Sequence, residues 1–400
     1  MTDLTEKVVR GALSNRAQEV LEALNQEAAG SYIWLRTQAN APAQLPWFRQ
    51  HETGQLASGR VAAGQLKATP HHWNWRDLSY YLSRIAEVAK TADIPPTEFA
   101  DRQQFLLVNP GLGGRLQIAN TIRCAVSIYN PGDQANAHLH TPNASRTILS
   151  EEGGFTTIEG ERCEARRGDV ILTPNGTWHD HGNDSDEPVV WIDVLDWPLI
   201  EFLDCIWLDD EFRGAVAKNA KVQLPTCPPD YSQKLYGHGG IMPRQKRQRG
   251  IGIGVSPMFH YRGKDIRASL DALRDEPGDV YEGVAVRLTN PMTGGSLFLT
   301  LDYGAQMLRK GEATRPKRET SSTMYVVLEG KGYSEVGDKK MEWGRNDIFV
   351  VPPFNWRRHV NTGDGEAVLY TVSDSALLEK IGQYRSQGRL PDGGIEEILP

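Results

Sequence analysis

Apolar positions in the first quarter of the chain recur every three or four residues. Val8, Val9 and Leu13, then Val20, Leu21 and Leu24, and later Leu78, Leu82, Ile85 and Val88 each mark one face of a helix. Residues 6–94 therefore read as helical, and Pro95-Pro96 ends the pattern because proline has no N–H to donate and restricts the residue before it. Trp47, Trp73 and Trp75 concentrate aromatic surface here, expected to pack on the domain that follows. From Phe105 the period shortens. FLLVNP, LQIANTIRCAVSIYN, RTILS, GFTTIEG, DVILTP and VVWIDV are short β-type runs broken by Gly, Asn, Asp and Pro, which predicts an antiparallel sandwich or barrel. WPLIEFLDCIWLDDEF reads as a helix or mixed closing element. A stretch poor in apolar residues follows, and a second β-rich block runs from Tyr281 to Ser373.

The second block repeats the first. PGDQANAHLHT aligns with KGEATRPKRET, GDVILTPNGTWHDH with NDIFVVPPFNWRRH, and VVWIDVLD with AVLYTVSD, which indicates an internal duplication. His138 falls opposite Lys317, His140 opposite Glu319, His179 opposite Arg357 and His181 opposite His359. These substitutions separate the copies chemically. The first offers two His-x-His pairs, His138/His140 and His179/His181, and on an extended strand residues i and i+2 share a face. Two such pairs joined by hairpin-type sequence have metal-ligand geometry, although imidazole alone does not choose among Zn, Cu, Fe and Ni. The second offers an ammonium, a carboxylate and a guanidinium, so one metal per chain is expected, held by the first copy. In the second copy, Lys317 and Glu319 are expected to neutralise each other within a scaffold.

At 400 residues the chain can form two or three domains with a sizeable core. Its net charge of −7 argues against a nucleic-acid-binding role. The basic cluster Arg244, Lys246, Arg247 and Arg249 reads as a solvated linker, and GIGIGVS lacks the GxGxxG and helix of a dinucleotide site. Four cysteines without CxxC spacing fit a reduced compartment. No apolar run is long enough for a membrane span, and the N-terminus has no signal-peptide core, so a cytoplasmic, membrane-free protein is expected.

Taken together, Asn109-Pro110-Gly111-Leu112, HxHTxxAxR from His138 to Arg146, TPxxTWHDHGN from Thr173 to Asn183, WxDxLDxPL from Trp191 to Leu199 and NPxTGG from Asn290 to Gly295 resemble the gentisate 1,2-dioxygenase family of bicupins. That family includes relatives that cleave salicylate and 1-hydroxy-2-naphthoate. The resemblance implies a mainly β bicupin, two antiparallel jelly-roll barrels behind an N-terminal helical segment, assembled as a homotetramer. Residues 1–96 would be that helical segment, 97–212 the metal-binding barrel, 213–280 a linker with short helices, 281–385 the metal-free barrel and 386–400 a tail.

The chemistry implied is ring opening of a hydroxylated aromatic carboxylate by O2 at Fe(II). By resemblance, His138, His140 and His179 hold the iron. Ala144 and Ser145 stand where many cupins place a ligand carboxylate, so three neutral donors leave positions open for substrate and O2. Arg146 would pair with the substrate carboxylate. His181 would serve as acid/base beside the metal, a fourth ligand being its rival role. Asp193, in an apolar run, would hold His181 or another group of the site. Arg102, Arg123 and Ser127 are further substrate-binding candidates. Departures from the family at Arg123, Ser127, Leu139, Thr147, Val194 and Trp197 are expected in part to line the pocket and make gentisate itself less certain as substrate. A cupin that binds a metal and a ligand without oxidising it, or a Zn or Mn isomerase or hydrolase, is the rival class.

Overall fold

The computed structural model describes residues 15–35, 67–91, 103–217, 221–241 and 254–398. Each β-rich block folds into its own pair of antiparallel sheets, as the alternation of buried and exposed positions requires. In the first, a seven-stranded sheet runs in the order Ile33–Leu35, Gln104–Leu107, Arg123–Tyr129, Val189–Leu195, Ala144–Ile148, Val170–Thr173 and His260–Tyr261. Its partner sheet runs Leu208–Asp209, Gln134–His140, His179–Gly182, Glu152–Ile158 and Glu161–Arg166. The second block repeats this plan in two six-stranded sheets.

Three features differ from the sequence reading. First, helices Asn15–Ala28 and Trp75–Thr91 form and bury Leu21, Leu24, Leu78, Leu82 and Ile85, but the N-terminal segment is not wholly helical. Ile33–Leu35 extends the first barrel by pairing with Gln104–Leu107, and His71–Trp73 extends the second by pairing with Ile348–Val351. Three-residue strands are too short to show a period, and they form because open sheet edges present unpaired backbone groups. Trp73 is buried and donates to the Tyr32 carbonyl at 3.0 Å, while Trp47 lies outside the described residues. Second, ERCEAR forms the strand Glu161–Arg166, with Glu161, Cys163 and Ala165 buried. It joins Glu152–Ile158 through the two-residue turn Glu159-Gly160, both at positive φ (49° and 78°). Turns of that kind suit the strand twist of a hairpin. Third, Ser386–Arg389 and Ile395–Ile398, expected as a tail, add two strands beside Lys317–Glu319.

Among the described residues, apolar packing is divided among three clusters. The largest joins the two helices to the adjoining faces of both barrels, and each barrel has its own interior cluster. Tyr129, Ile148 and Trp191 belong to the first barrel's interior cluster. Two residues along the same strands, on the same face, stand Ser127, Arg146 and Asp193. Apolar filling thus gives way to a polar layer at one end of the barrel. The basic cluster 244–249 lies outside the described residues. Among the described residues no helix is long and apolar enough to cross a membrane.

Candidate active site

Strands Gln134–His140 and His179–Gly182 pair with His179 opposite His138, and a register irregularity follows between His179 and His181. Four imidazoles converge as a result. Ring centroids lie 4.4 Å apart for His138 and His179, 4.8 Å for His140 and His179, and 5.4 Å for His179 and His181. Their hydrogen bonds divide them three to one. Nδ1 of His138, His140 and His179 sits 2.9, 2.7 and 2.9 Å from the carbonyls of Asn136, Pro142 and Thr177. A carbonyl only accepts, so each ring carries its proton on Nδ1 and leaves the Nε2 lone pair for another partner. Nε2 of His179 is buried with no hydrogen-bond partner.

His181 is engaged at both nitrogens. Its Nε2 lies 2.6 Å from Nη2 of Arg146 and its Nδ1 3.1 Å from Thr156 Oγ1. A guanidinium only donates, so Nε2 is the acceptor and the proton sits on Nδ1. Burial, reinforced by His138 at His179 and by Arg146 at His181, holds both rings well below the ordinary histidine value, and both are neutral.

Asp193 meets Arg146 rather than His181. The two are paired across adjacent strands, with Asp193 Oδ1 3.2 Å from Arg146 Nε. Oδ2 of Asp193 accepts from Ser127 Oγ at 2.6 Å and from Gln104 Nε2 at 3.0 Å. Arg146 also donates to Thr173 Oγ1 at 3.1 Å. Burial lowers the guanidinium from its ordinary value and Asp193 opposes that. Ser127, Asp193, Arg146 and His181 therefore form one chain of contacts, with Ser127 orienting Asp193.

Arg123 lies at the rim, level with Leu195, and on the same strand face as Ser127. It donates to the Leu116 carbonyl at 3.1 Å, and its guanidinium stands 4.5 Å from the Trp197 ring centroid. Arg102 falls outside the described residues. Leu139, Thr147 and Val194 alternate with His138, Arg146 and Asp193, so they face away from the site, and Val194 is buried in the cluster between the barrels. Gln104, Thr156 and Thr173 were not foreseen. Nothing local marks them; only the strand pairing brings them to the site.

The second barrel repeats the register with other chemistry. Lys317 pairs with Arg357 as His138 pairs with His179. Glu319 lies 2.9 Å from Lys317 Nζ and 2.9 Å from Arg357 Nη1. Glu282, also unforeseen, lies 2.7 Å from Lys317 and 2.9 Å from Arg357. Two cations and two anions thus balance. His359 repeats His181, its Nδ1 2.7 Å from Ser334 Oγ, and burial with Arg357 pulls its pKa down to about 3.

A family model described as a cupin domain matches residues 125–195 and 304–373, once in each barrel. The chain is 32% identical over 332 residues to a 5-aminosalicylate 1,2-dioxygenase from a Comamonas species, covering 81% of this chain and 83% of that protein. It is 34% identical over 321 residues to a gentisate 1,2-dioxygenase from a Haloferax species, covering 78% and 86%. A salicylate 1,2-dioxygenase from Pseudoaminobacter salicylatoxidans, solved as adducts with gentisate, matches with a TM-score of 0.72 at 28% identity over 88% of this chain and 97% of that one. Similarity along most of both lengths, with a cupin match in each barrel, means that the chain belongs to the gentisate 1,2-dioxygenase family of bicupin ring-cleaving dioxygenases.

Proposed function

We propose that this dioxygenase holds one Fe(II) per chain on His138, His140 and His179. In this reading it opens a hydroxylated aromatic carboxylate, gentisate or a related salicylate or hydroxynaphthoate. Both atoms of O2 enter, with cleavage between the carboxyl- and hydroxyl-bearing carbons. The hydrogen bonding of the four imidazoles carries the ligand assignment. Proximity of ligand atoms alone would group His138, His179 and His181, which lie within 4.8 Å of one another. His181 is nonetheless set apart from the metal ligands, because its lone pair already accepts from Arg146. His179 Nε2, buried and unpartnered, is the kind of orphaned acceptor that a cation satisfies. Three Nδ1–H groups fixed by carbonyls are the outer-shell pattern that orients metal-bound histidines.

Fe(II), when bound, would bring the aromatic acid and O2 together and relay electrons from the ring, which is oxidised, to O2. The chain's own residues bind and orient the acid. Of the five N–H groups of Arg146, two donate to Thr173 and His181, while Nε is ion-paired with Asp193 at 3.2 Å without a hydrogen bond, so a fork of N–H groups remains for a substrate carboxylate. Asp193, fixed by Ser127 and Gln104, holds that fork in place. His181, neutral and accepting from Arg146 at Nε2, is placed to exchange a proton with a substrate hydroxyl once a bound carboxylate draws Arg146 from that nitrogen. Arg123, at the rim against Trp197, is assigned to a second polar substituent of the ring, and Arg102, outside the described residues, stays a substrate-binding candidate by resemblance to the family. A homotetramer in the cytoplasm completes the reading, supported by the family and by four cysteines that form no disulfide.

The test is oxygen uptake by anaerobically Fe(II)-loaded protein over gentisate, 5-aminosalicylate, salicylate and 1-hydroxy-2-naphthoate. Uptake should match formation of a ring-opened chromophore near the ultraviolet. No uptake with any of these acids would end the assignment.

A further inference from the structure

The two barrels are joined by a pair of matching clasps, and only one of them reaches the site. In the first, Asp196 accepts from the Asn143 backbone N–H at 2.8 Å and the Asn143 side chain at 2.9 Å, and Thr300 of the second barrel donates to it at 2.5 Å. In the second, Asp374 accepts from the Ser322 N–H at 2.8 Å, and Thr121 of the first barrel donates to it at 2.5 Å. Asp196 N–H bonds the Asn143 carbonyl as Asp374 N–H bonds that of Ser322, both at 3.3 Å. Each barrel therefore lends the other one threonine hydroxyl, aimed at the carboxylate that pins a turn between strands.

What the pinned turns carry differs. The turn Thr141-Pro142-Asn143 links the strand bearing His138 and His140 to the strand bearing Arg146. Its Pro142 carbonyl receives Nδ1 of His140, and Asn143 Oδ1 receives the Asn175 N–H at 3.0 Å. A second contact from the other barrel, Tyr303 O–H to Ser145 Oγ at 2.8 Å, falls on the residue next to Arg146. The corresponding turn held by Asp374 leads from Glu319, in the ion cluster, to strand Thr323–Glu329.

We propose that Thr300 is a positioning residue for the active site: through Asp196 it fixes the turn that orients His140 and sets the start of the Arg146 strand. The metal-free barrel then does more than fill space, because it supplies a polar tie that the metal-binding barrel cannot make for itself. The inference rests on the His138, His140 and His179 metal reading.

The mirror clasp provides the control. Thr300→Val and Thr121→Val remove the same hydroxyl from equivalent carboxylates, and a structural role alone predicts equal effects. Co(II) affinity of the metal-free full-length protein, read from its visible absorption in competition with a chelator, separates the two. Thr300→Val should weaken Co(II) binding roughly three- to tenfold, less than the 10–100-fold loss typical for groups bonded directly to a ligand. Thr300→Ser should restore it. Thr121→Val should lower the melting temperature by the same few degrees yet bind Co(II) within about twofold of wild type. Equal loss in both valine variants, or no loss in Thr300→Val, would overturn the proposal. Should Thr300→Val not fold, Thr300→Ala against Thr121→Ala is read in the same way. Wild-type protein that takes up no Co(II) would remove the metal reading first, and this inference with it.

Discussion

Glu319 is the carboxylate on which the neutrality of the second barrel depends, and Glu319→Gln removes its charge while keeping its shape. Burial alone would raise this carboxyl, but Arg357 and Lys317 outweigh burial and pull it from 4.5 to about 2. That displacement corresponds to about 3 kcal/mol of stability at neutral pH. An independent argument gives a similar figure. Without Glu319, Lys317 and Arg357 share only Glu282, and an uncompensated buried charge costs about 3–5 kcal/mol. Because the folded value is depressed, the contribution is present above pH 4.5 and is lost as pH falls toward 2. The wild-type minus Glu319→Gln gap should therefore be about 3 kcal/mol at pH 7 and about 2 kcal/mol at pH 3.5. Urea unfolding followed by fluorescence measures both, since Trp343 and Trp356 lie in the second barrel. Metal content should stay at the wild-type level. A gap below about 1 kcal/mol at pH 7, or one that widens as the solution is acidified, would refute the reasoning.

Other perturbations test the first barrel and its support. Arg146→Lys keeps the charge but loses the planar fork, so salicylate binding measured by calorimetry should weaken about tenfold or more while metal content is unchanged. Asp193→Asn leaves Ser127 and Gln104 an acceptor but strips Arg146 of its counter-charge, for an expected loss of about 3–5 kcal/mol in chemical denaturation. His260 is clamped between Asp169 at 2.7 Å and Asp230 at 2.5 Å, which overcome burial and raise it to about 9. A raised value means stability present below 6.5 and lost as pH rises through 9, so the melting-temperature gap between wild type and His260→Gln should close between pH 7 and 10.

How much of this was legible depended on range along the chain. The paired histidines, the duplication and the exchange of His138 and His179 for Lys317 and Arg357 could all be read from local pattern. Alternation would also have excluded Leu139, which must point away from the face shared by His138 and His140, and the same holds for Thr147 and Val194. The strand Glu161–Arg166 carries a clear period of two, disguised because its outward positions are charged and its inward ones include Glu161. Gln104 and Glu282 had no such signal. Gln104 reaches its cluster by pairing with Ser127, and Glu282 from the turn ahead of strand Val284–Leu288, and a polar residue near a strand end looks the same whether it faces solvent or a buried ion pair. The partner of Asp193 was hidden for the same reason, since only the register with Arg146 shows that the carboxylate serves the guanidinium.

Charge also explains why one barrel suits a metal and the other does not. In the second, a divalent cation would have to displace Lys317 and Arg357 from carboxylates they already satisfy. In the first, Arg146 and Asp193 offset each other and the converging imidazoles are uncharged donors, so the protein supplies coordination without cancelling the charge of the ion. A dication in a buried site is costly until an anion joins it. An aromatic acid that brings a carboxylate and an ionisable hydroxyl provides that anion at the moment of binding, so metal and substrate should strengthen each other. By linkage the factor is the same in both directions. Salicylate should raise Co(II) affinity by as much as Co(II) raises salicylate affinity. Independent binding of the two would mean that the charge is balanced by a group other than the substrate.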